Sequence, residues 1–385
     1  MQTKSSIMKK LYKLKYAELI CIAILSATLA TASELHVSPS GNDAAAGTEK
    51  NPFRTVERAQ AEVRKKVAVG LQESVTVFLH SGTYQLSDTL TFGPEDSGTE
   101  KYDITYAAFT NGKAVLSGGR HITNWKEDGH GRWTAELPDV KAGKWFFRQL
   151  YIDGKRAPRG RYPEKGFLKI KGVSKDLKML QFDEPLPEAN FRGQDTEVVV
   201  VQNWSISREI IAENNPEGLT AETPIGWVGH GQCLAKRGMS AFLENALSLV
   251  TQPGQWYLDR KSGTLHYLAA EGEDPNRMSF VAPRLDQLVL IEGTADRPVK
   301  NLHFRGIGFE HTNWLIPEIG YGGIQACYYG TSVDEPACYA VDVAVDLEYC
   351  TGSSFESCHF KHIGGSGIGL GAGCRDNSVV GCEFG

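Results

Sequence analysis

The sequence predicts an all-β chain: a parallel β-solenoid, a single helix covering its first turn, and an inserted all-β, sandwich-like domain. Three observations carry this. The C-terminal stretch repeats every 24 residues, with Cys350 and Cys358 recurring as Cys374 and Cys382, and Phe360 as Phe384. The opening has a similar texture of short strands broken by Gly and Ser turns. Between them lies a block of longer strands richer in tryptophan and charge. A period in the twenties made of strands and turns, without helices between them, indicates stacked turns with equivalent side chains aligned about 4.8 Å apart.

Taken in order, residues 1–32 read as a signal peptide. Lys4, Lys9, Lys10, Lys13 and Lys15 precede a short apolar run from Leu19 to Leu29, and Ala30-Thr31-Ala32 offers small residues for cleavage. The apolar run falls short of the about 20 residues a membrane-spanning helix needs, so no membrane span is expected. Secretion or periplasmic export follows as an expectation.

Residues 33–119 are expected to hold the N-terminal cap and the first solenoid turns. "ELHVSPSGNDAAAGTEKNPFRTVERAQAEVRKK" reads as strand, glycine-rich loop and helix, with Val56, Ala59, Val63 and Val67 on one face. An exposed strand edge needs a cover, and this helix can supply it. "SVTVFLHSGTYQLSDTLTF", "YDITYAAF" and "KAVLSGG" then continue as short strands.

Residues 120–279 are expected to form the insertion. "WTAELP", "DTEVVVVQNW" and "GQWYLDRKSGTLHYL" are strand-like, with Asp153-Gly154 and Lys261-Ser262-Gly263 as hairpin turns. Residues 280–385 return to the solenoid. "PVKNLHFRGIGFEHTNW" aligns with "GSSFESCHFKHIGG", setting Phe309 on Phe360 and His311 on His362, one period plus a loop of 27 residues. The sequence ends roughly twelve residues into a further turn. The expectation is that it belongs to a longer protein.

Charge narrows the partners. Removing the leader's five lysines and Glu18 takes the formal charge from −5 to about −9, which disfavours nucleic acid and anionic membranes. Seven cysteines remain for an oxidising compartment. Cys327 and Cys338 could close their Gly/Tyr-rich loop as a disulfide. The stacked cysteines are expected as free buried thiols, with bridges between turns as the alternative, because parallel Cβ vectors suit a disulfide poorly. Their spacing does not suit zinc, and neither metal nor cofactor is expected.

Together, "HVSPSGNDAAAGTEKNPFRTVERA", "VFLHSGTYQLSDTLTF", "FRQLYIDGKRAPRGRYP", "QWYLDRKSGTLHYL" and "CRDNSVVGCEFG" resemble glycoside hydrolase family 141. The resemblance runs from about Glu34 to Gly385. It implies a right-handed, pectate-lyase-like parallel β-helix with a β-sandwich insertion, and α-L-fucosidase or xylanase activity. The β-xylosidases of glycoside hydrolase family 120 share that architecture. In the family the catalytic acids lie in later coils, so catalytic residues are expected beyond Gly385.

Glycosidic hydrolysis needs two carboxyl groups, about 5 Å apart for retention and 6.5–9.5 Å for inversion. In the clear turns no acid meets another 24 residues on: Asp342 maps to Ser366, Glu356 to Val380 and Asp376 back to Gly352. "VDVAVDLEY" places Asp342, Asp346 and Glu348 opposite an apolar face, either solvated or facing sugar. "FEHTNWLIPEIGYGGIQA" is the richest loop. Trp314 and Tyr321 can stack on sugar rings while Glu310, His311 and Gln325 bind hydroxyls, or all five can pack the loop. His362 stands either in the groove or as a turn-stabilising residue. Arg148, Arg156, Arg159 and Arg161 form a basic cluster, solvated, salt-bridged or touching substrate.

The leading expectation is therefore a secreted, monomeric glycoside hydrolase acting on plant cell-wall polysaccharide or oligosaccharide. A pectate-lyase-like enzyme is the second reading, but it needs a calcium-binding carboxylate cluster. A non-catalytic carbohydrate-binding protein is the third.

Overall fold

A computed structural model describes residues 33–129, 131–326, 328–330 and 338–385; the expected leader, 1–32, lies outside them. Three parallel sheets organise the chain. The first contains, in spatial order, Ser33–Val37, Val75–Leu79, Ile104–Ala108, Leu302–Arg305, Ser354–Glu356 and Ser378–Val380. The second contains Gly82–Gln85, Ala114–Ser117, Ile307–Glu310, His359–Lys361 and Glu383–Phe384. The third contains Leu90–Phe92, Val289–Glu292, Val343–Glu348 and Ser366–Leu370. After the first strand, the chain visits first, second and third sheet in turn and then returns to the first.

Each circuit pairs in register with the one before it, so identical positions meet. Phe309 pairs with Phe360, and Phe360 with Phe384. Their rings stack at 5.0 Å and 4.7 Å, within 15° and 4° of parallel. A second row runs through Tyr106, Phe304 and Phe355, stacked at 5.7 Å and 5.0 Å. Val77, Leu116, Val289, Ile291, Val345 and Leu347 fill the space between the sheets. Cys350, Cys358, Cys374 and Cys382 are all free thiols. Burial pushes Cys350 up to about 11 and Cys358 up to about 12. Both therefore behave as small apolar groups, as parallel Cβ vectors predict.

The helix Val56–Ala68 begins where Thr55 accepts a hydrogen bond from the Arg58 amide at 3.2 Å. Asp43 fixes the approach by accepting from the amides of Arg54 and Thr55 at 2.8 Å and 2.9 Å. Val56, Ala59 and Val63 are buried in the same core as the parallel strands, with Val67 partly buried against it. Arg64 clamps the fully buried Asp96 with two hydrogen bonds, of 2.9 Å and 2.8 Å.

The stack continues across the inserted block. Ile104–Ala108 pairs directly with Leu302–Arg305, and Ala114–Ser117 with Ile307–Glu310. The chain leaves through Gly118 and Gly119, where a side chain would not fit. A Cβ at Gly118 would lie 2.9 Å from the His311 carbonyl, and one at Gly119 2.5 Å from Val281.

Within the block the expected sandwich is replaced by a small antiparallel barrel. Leu168–Val173, Met179–Phe182, Gly218–Ala221, Ile206–Asn215, Glu197–Val201 and Ser240–Glu244 pair in that order, and the last pairs back with the first. Register shifts at Ile170/Gly172 and Ile211/Glu213 bend the strands enough for closure. Leu168, Leu180, Val198, Val200, Ile211 and Leu243 fill the barrel. Sandwich and barrel strands share one alternating pattern, so the difference lies in two bulges that alternation does not announce. A separate antiparallel sheet joins Lys126–Gly129, Arg132–Glu136, Thr264–Leu268 and Trp256–Asp259 over Trp125, Trp256 and Phe280.

The aromatic rows make the first prediction. Phe309→Ala should lower unfolding stability by about 3–5 kcal/mol, measured by urea titration, because its fully buried ring touches both rows.

Candidate functional site

The crossing from the second sheet to the third is the variable corner of each circuit. In one circuit it carries the whole block between Ser117 and Val289; in the next, the loop between Glu310 and Val343; in the last it is only the few residues between Lys361 and Ser366. The ends of these crossings stack on one another, and the candidate residues gather there.

Glu310, His311 and His362 form one group, with a ligand-type atom from each lying within 4.8 Å of the others. The two imidazoles stack at 5.0 Å, as the sequence alignment places them, and Tyr151 packs against both. Ser117 Oγ lies 3.0 Å from His311 Nδ1, and the Gly119 amide donates to the same oxygen. Burial, together with His362 and His121, lowers His311 to about 4; burial also lowers His362. Both rings are thus neutral at pH 7. Glu310 Oε1 lies 3.3 Å from His359 Nε2.

Trp314 and Tyr321 form a second group, in a cleft of about 290 Å³ between barrel and corner. Tyr321–Gly323 pairs with the barrel strand Ile206–Asn215, which ties the corner loop onto the insertion. Trp314 is almost buried, with the Arg148 guanidinium over its face at 4.6 Å and Tyr321 against its edge at 5.0 Å. Tyr329 and Tyr339 continue the aromatic row outward at 5.4 Å and 5.5 Å. Gln325 stands apart as an exposed turn residue whose carbonyl accepts from the Tyr328 amide. Cys338 is an exposed free thiol, and its expected disulfide partner Cys327 lies outside the described residues.

The basic cluster resolves into a buried charge network. Arg148 and Arg159 are almost fully buried and bind Glu197, Arg148 through Nε at 2.9 Å and a second bond from Nη2, Arg159 at 2.7 Å. Arg208 bridges Glu197 and Glu244 at 3.4 Å and 2.6 Å. Burial alone would raise Glu197, but Arg148, Arg159 and Arg208 outweigh it and hold its carboxyl far below the usual range. Arg156 lines the cleft with Arg148, Arg159 and Arg208, whereas Arg161 lies over Phe242 at 4.1 Å. Glu197 escaped the sequence reading, although a glutamate opening the run "EVVVV" is itself a signal that the strand buries a charge.

Acid pairs between circuits also escaped it. Glu292 pairs directly with Glu348, and counting the same step back from Val289 and Val345 sets Asp286 against Asp342. The loop between Glu310 and Val343 lengthens the step, so a search at 24 residues passes over both pairs. The pairing of Val343 with Ser366 likewise puts Asp342 opposite Gly365, not Ser366. Asp286 and Asp342 both reach solvent, yet surrounding protein raises both carboxyls, and the charge of Asp342 adds to the effect on Asp286. The buried Asn313 amide hydrogen-bonds Asp286. Asp342 adjoins the cleft through its neighbours Val341 and Gly365.

Comparison with known proteins agrees with this architecture. Residues 131–270 match the GH141 insertion domain. A solved structure described as a glycoside hydrolase superposes with a TM-score of 0.82 at 26% identity, over 91% of this chain and 65% of its own. The chain thus spans about two thirds of that relative's length. YwoF of Bacillus subtilis (strain 168), itself named as uncharacterized, is 37% identical over 84 residues, 22% of this chain and 15% of YwoF. The resemblance read from the motifs is borne out: the chain is glycoside-hydrolase-like and carries the GH141 insertion domain.

The charge network makes the second prediction. Glu197→Gln should destabilise the chain by about 3–5 kcal/mol at pH 7, because it strands buried arginines. A carboxyl depressed by folding contributes stability that is complete above its unfolded value of 4.5 and is lost as pH falls below it. Denaturant titrations from pH 7 to pH 3 should therefore show a shallower acid limb in the variant than in the parent.

Proposed function

We propose that this protein is a secreted glycoside hydrolase built on a right-handed parallel β-helix and acting, as a monomer, on plant cell-wall polysaccharide with α-L-fucosidase or xylanase activity. The three parallel sheets visited in rotation support the helix, and the leader-like N-terminus supports secretion. The observation that carries the enzymatic reading is the Asp286–Asp342 pair, of which Asp342 adjoins the cleft residues Val341 and Gly365. Residues one circuit apart are separated by about 4.8 Å, close to the spacing of a retaining carboxyl pair.

In this reading, which departs from the resemblance's expectation of catalytic acids beyond Gly385, Asp286, raised by both burial and its neighbour's charge, is the general acid, and Asp342 is the nucleophile. Asp342 attacks the anomeric carbon as Asp286 protonates the departing glycosidic oxygen, leaving a glycosyl ester on Asp342. Asp286, now ionised, takes a proton from water. That water attacks the anomeric carbon and frees the Asp342 carboxylate. The row Trp314, Tyr321, Tyr329 and Tyr339 supplies aromatic surface leading out of the cleft.

Assays on fucosides, xylosides and polygalacturonate test the reading. The expected product keeps its anomeric configuration by NMR, and Asp286→Asn lowers kcat by about 10²–10⁴-fold on substrates with poor leaving groups. An inverted product, or an unchanged kcat in Asp286→Asn, removes the pair from catalysis. Calcium-dependent release of unsaturated uronides would instead establish the lyase, and glycan binding without turnover the binding protein.

A further inference from the structure

We propose that Glu310, His311 and His362 form a binding site for a divalent transition-metal ion of the zinc class, at the corner where successive circuits stack. Two imidazoles and one carboxylate match the donor set that such ions prefer, whereas calcium and magnesium favour all-oxygen sites. The three donor atoms already lie within 4.8 Å of one another, with Glu310 Oε2 the carboxylate oxygen turned toward the His311 ring. Tetrahedral ligands at metal–ligand distances of about 2.1 Å stand roughly 3.4 Å apart. Closure therefore asks for a shift of about an ångström and a turn of the stacked rings, so that their lone pairs converge.

The surroundings suit this. Ser117 holds His311 through Nδ1, which leaves Nε2 as the coordinating nitrogen, and the Gly119 amide anchors that serine. His359 holds the other oxygen of Glu310. Tyr151 packs on the two rings and limits their motion. Three protein donors leave the fourth position for water or for a sugar hydroxyl. Lys361 is the opposing charge nearby, and it extends toward Glu383 at 4.0 Å.

Calorimetric titration of the EDTA-treated full chain with zinc chloride, and of a parallel sample with cobalt followed by visible absorption, tests the site. One ion per chain is expected, with a tetrahedral cobalt band. Glu310→Gln should weaken binding at least about 10-fold, and His362→Ala should remove the cobalt band, while His303→Gln in the first sheet leaves both unchanged. Absence of stoichiometric binding to the unaltered chain overturns the site, whatever the folding of the variants. So does binding that survives both Glu310→Gln and His362→Ala. No substrate enters these measurements, so they stand apart from the fate of Asp286 and Asp342.

Discussion

Parallel pairing between successive circuits is the constraint on which the rest of the molecule depends. The interstrand hydrogen bonds fix a spacing of about 4.8 Å, and the side-chain alternation forbids a slip of one residue without turning the core outward. Phe309, Phe360 and Phe384 must therefore lie over one another, as must His311 and His362. The same rule operates across the insertion. Ile104–Ala108 meets Leu302–Arg305 in register although almost two hundred residues of chain separate them, so the block leaves and re-enters without disturbing the stack.

What was legible in the sequence follows from this rule. Where the period is unbroken, an identical spacing of Cys, Phe and His is visible by inspection and translates directly into contacts. The helix was legible because Val56, Ala59 and Val63 share one face. The Asp286–Asp342 pairing was hidden because the crossings between them vary in length, which shifts the step without changing the register. The barrel was hidden because closure depends on bulges at Ile170/Gly172 and Ile211/Glu213, and these leave little mark on an alternating pattern. The arginine cluster was half visible. Its residues were found, but the acid that neutralises them comes from a strand distant in sequence and unremarkable except for Glu197 itself.

The buried network explains how two differently built units hold one cleft. Arg148 comes from the segment that opens the insertion, Glu197, Arg208 and Glu244 from barrel strands, and Trp314 from the corner loop. Arginine suits this position because its planar fork satisfies a carboxylate with two bonds and still presents a face to an indole. Such a network adds little net stability compared with an apolar interface, since desolvating the ions offsets their attraction. Its geometry is nonetheless strict, and that orients the barrel relative to the corner.

Why close pairs of polar side chains gather at this corner has a physical answer. Along the strands, backbone groups are committed to neighbouring circuits, and side chains point either into the core or out to a flat face. At the second-to-third crossing the backbone is free to extend, so loops of any length can be added without loss of sheet hydrogen bonds. Stacking then brings like positions from different loops together, and pairs of carboxyls or imidazoles arise at a spacing set by the sheet rather than by the loops. Asp286 with Asp342, and His311 with His362, are both products of that geometry. A scaffold that repeats its register at about 4.8 Å thus supplies close carboxyl and imidazole pairs while its loops remain free to shape the cleft around them.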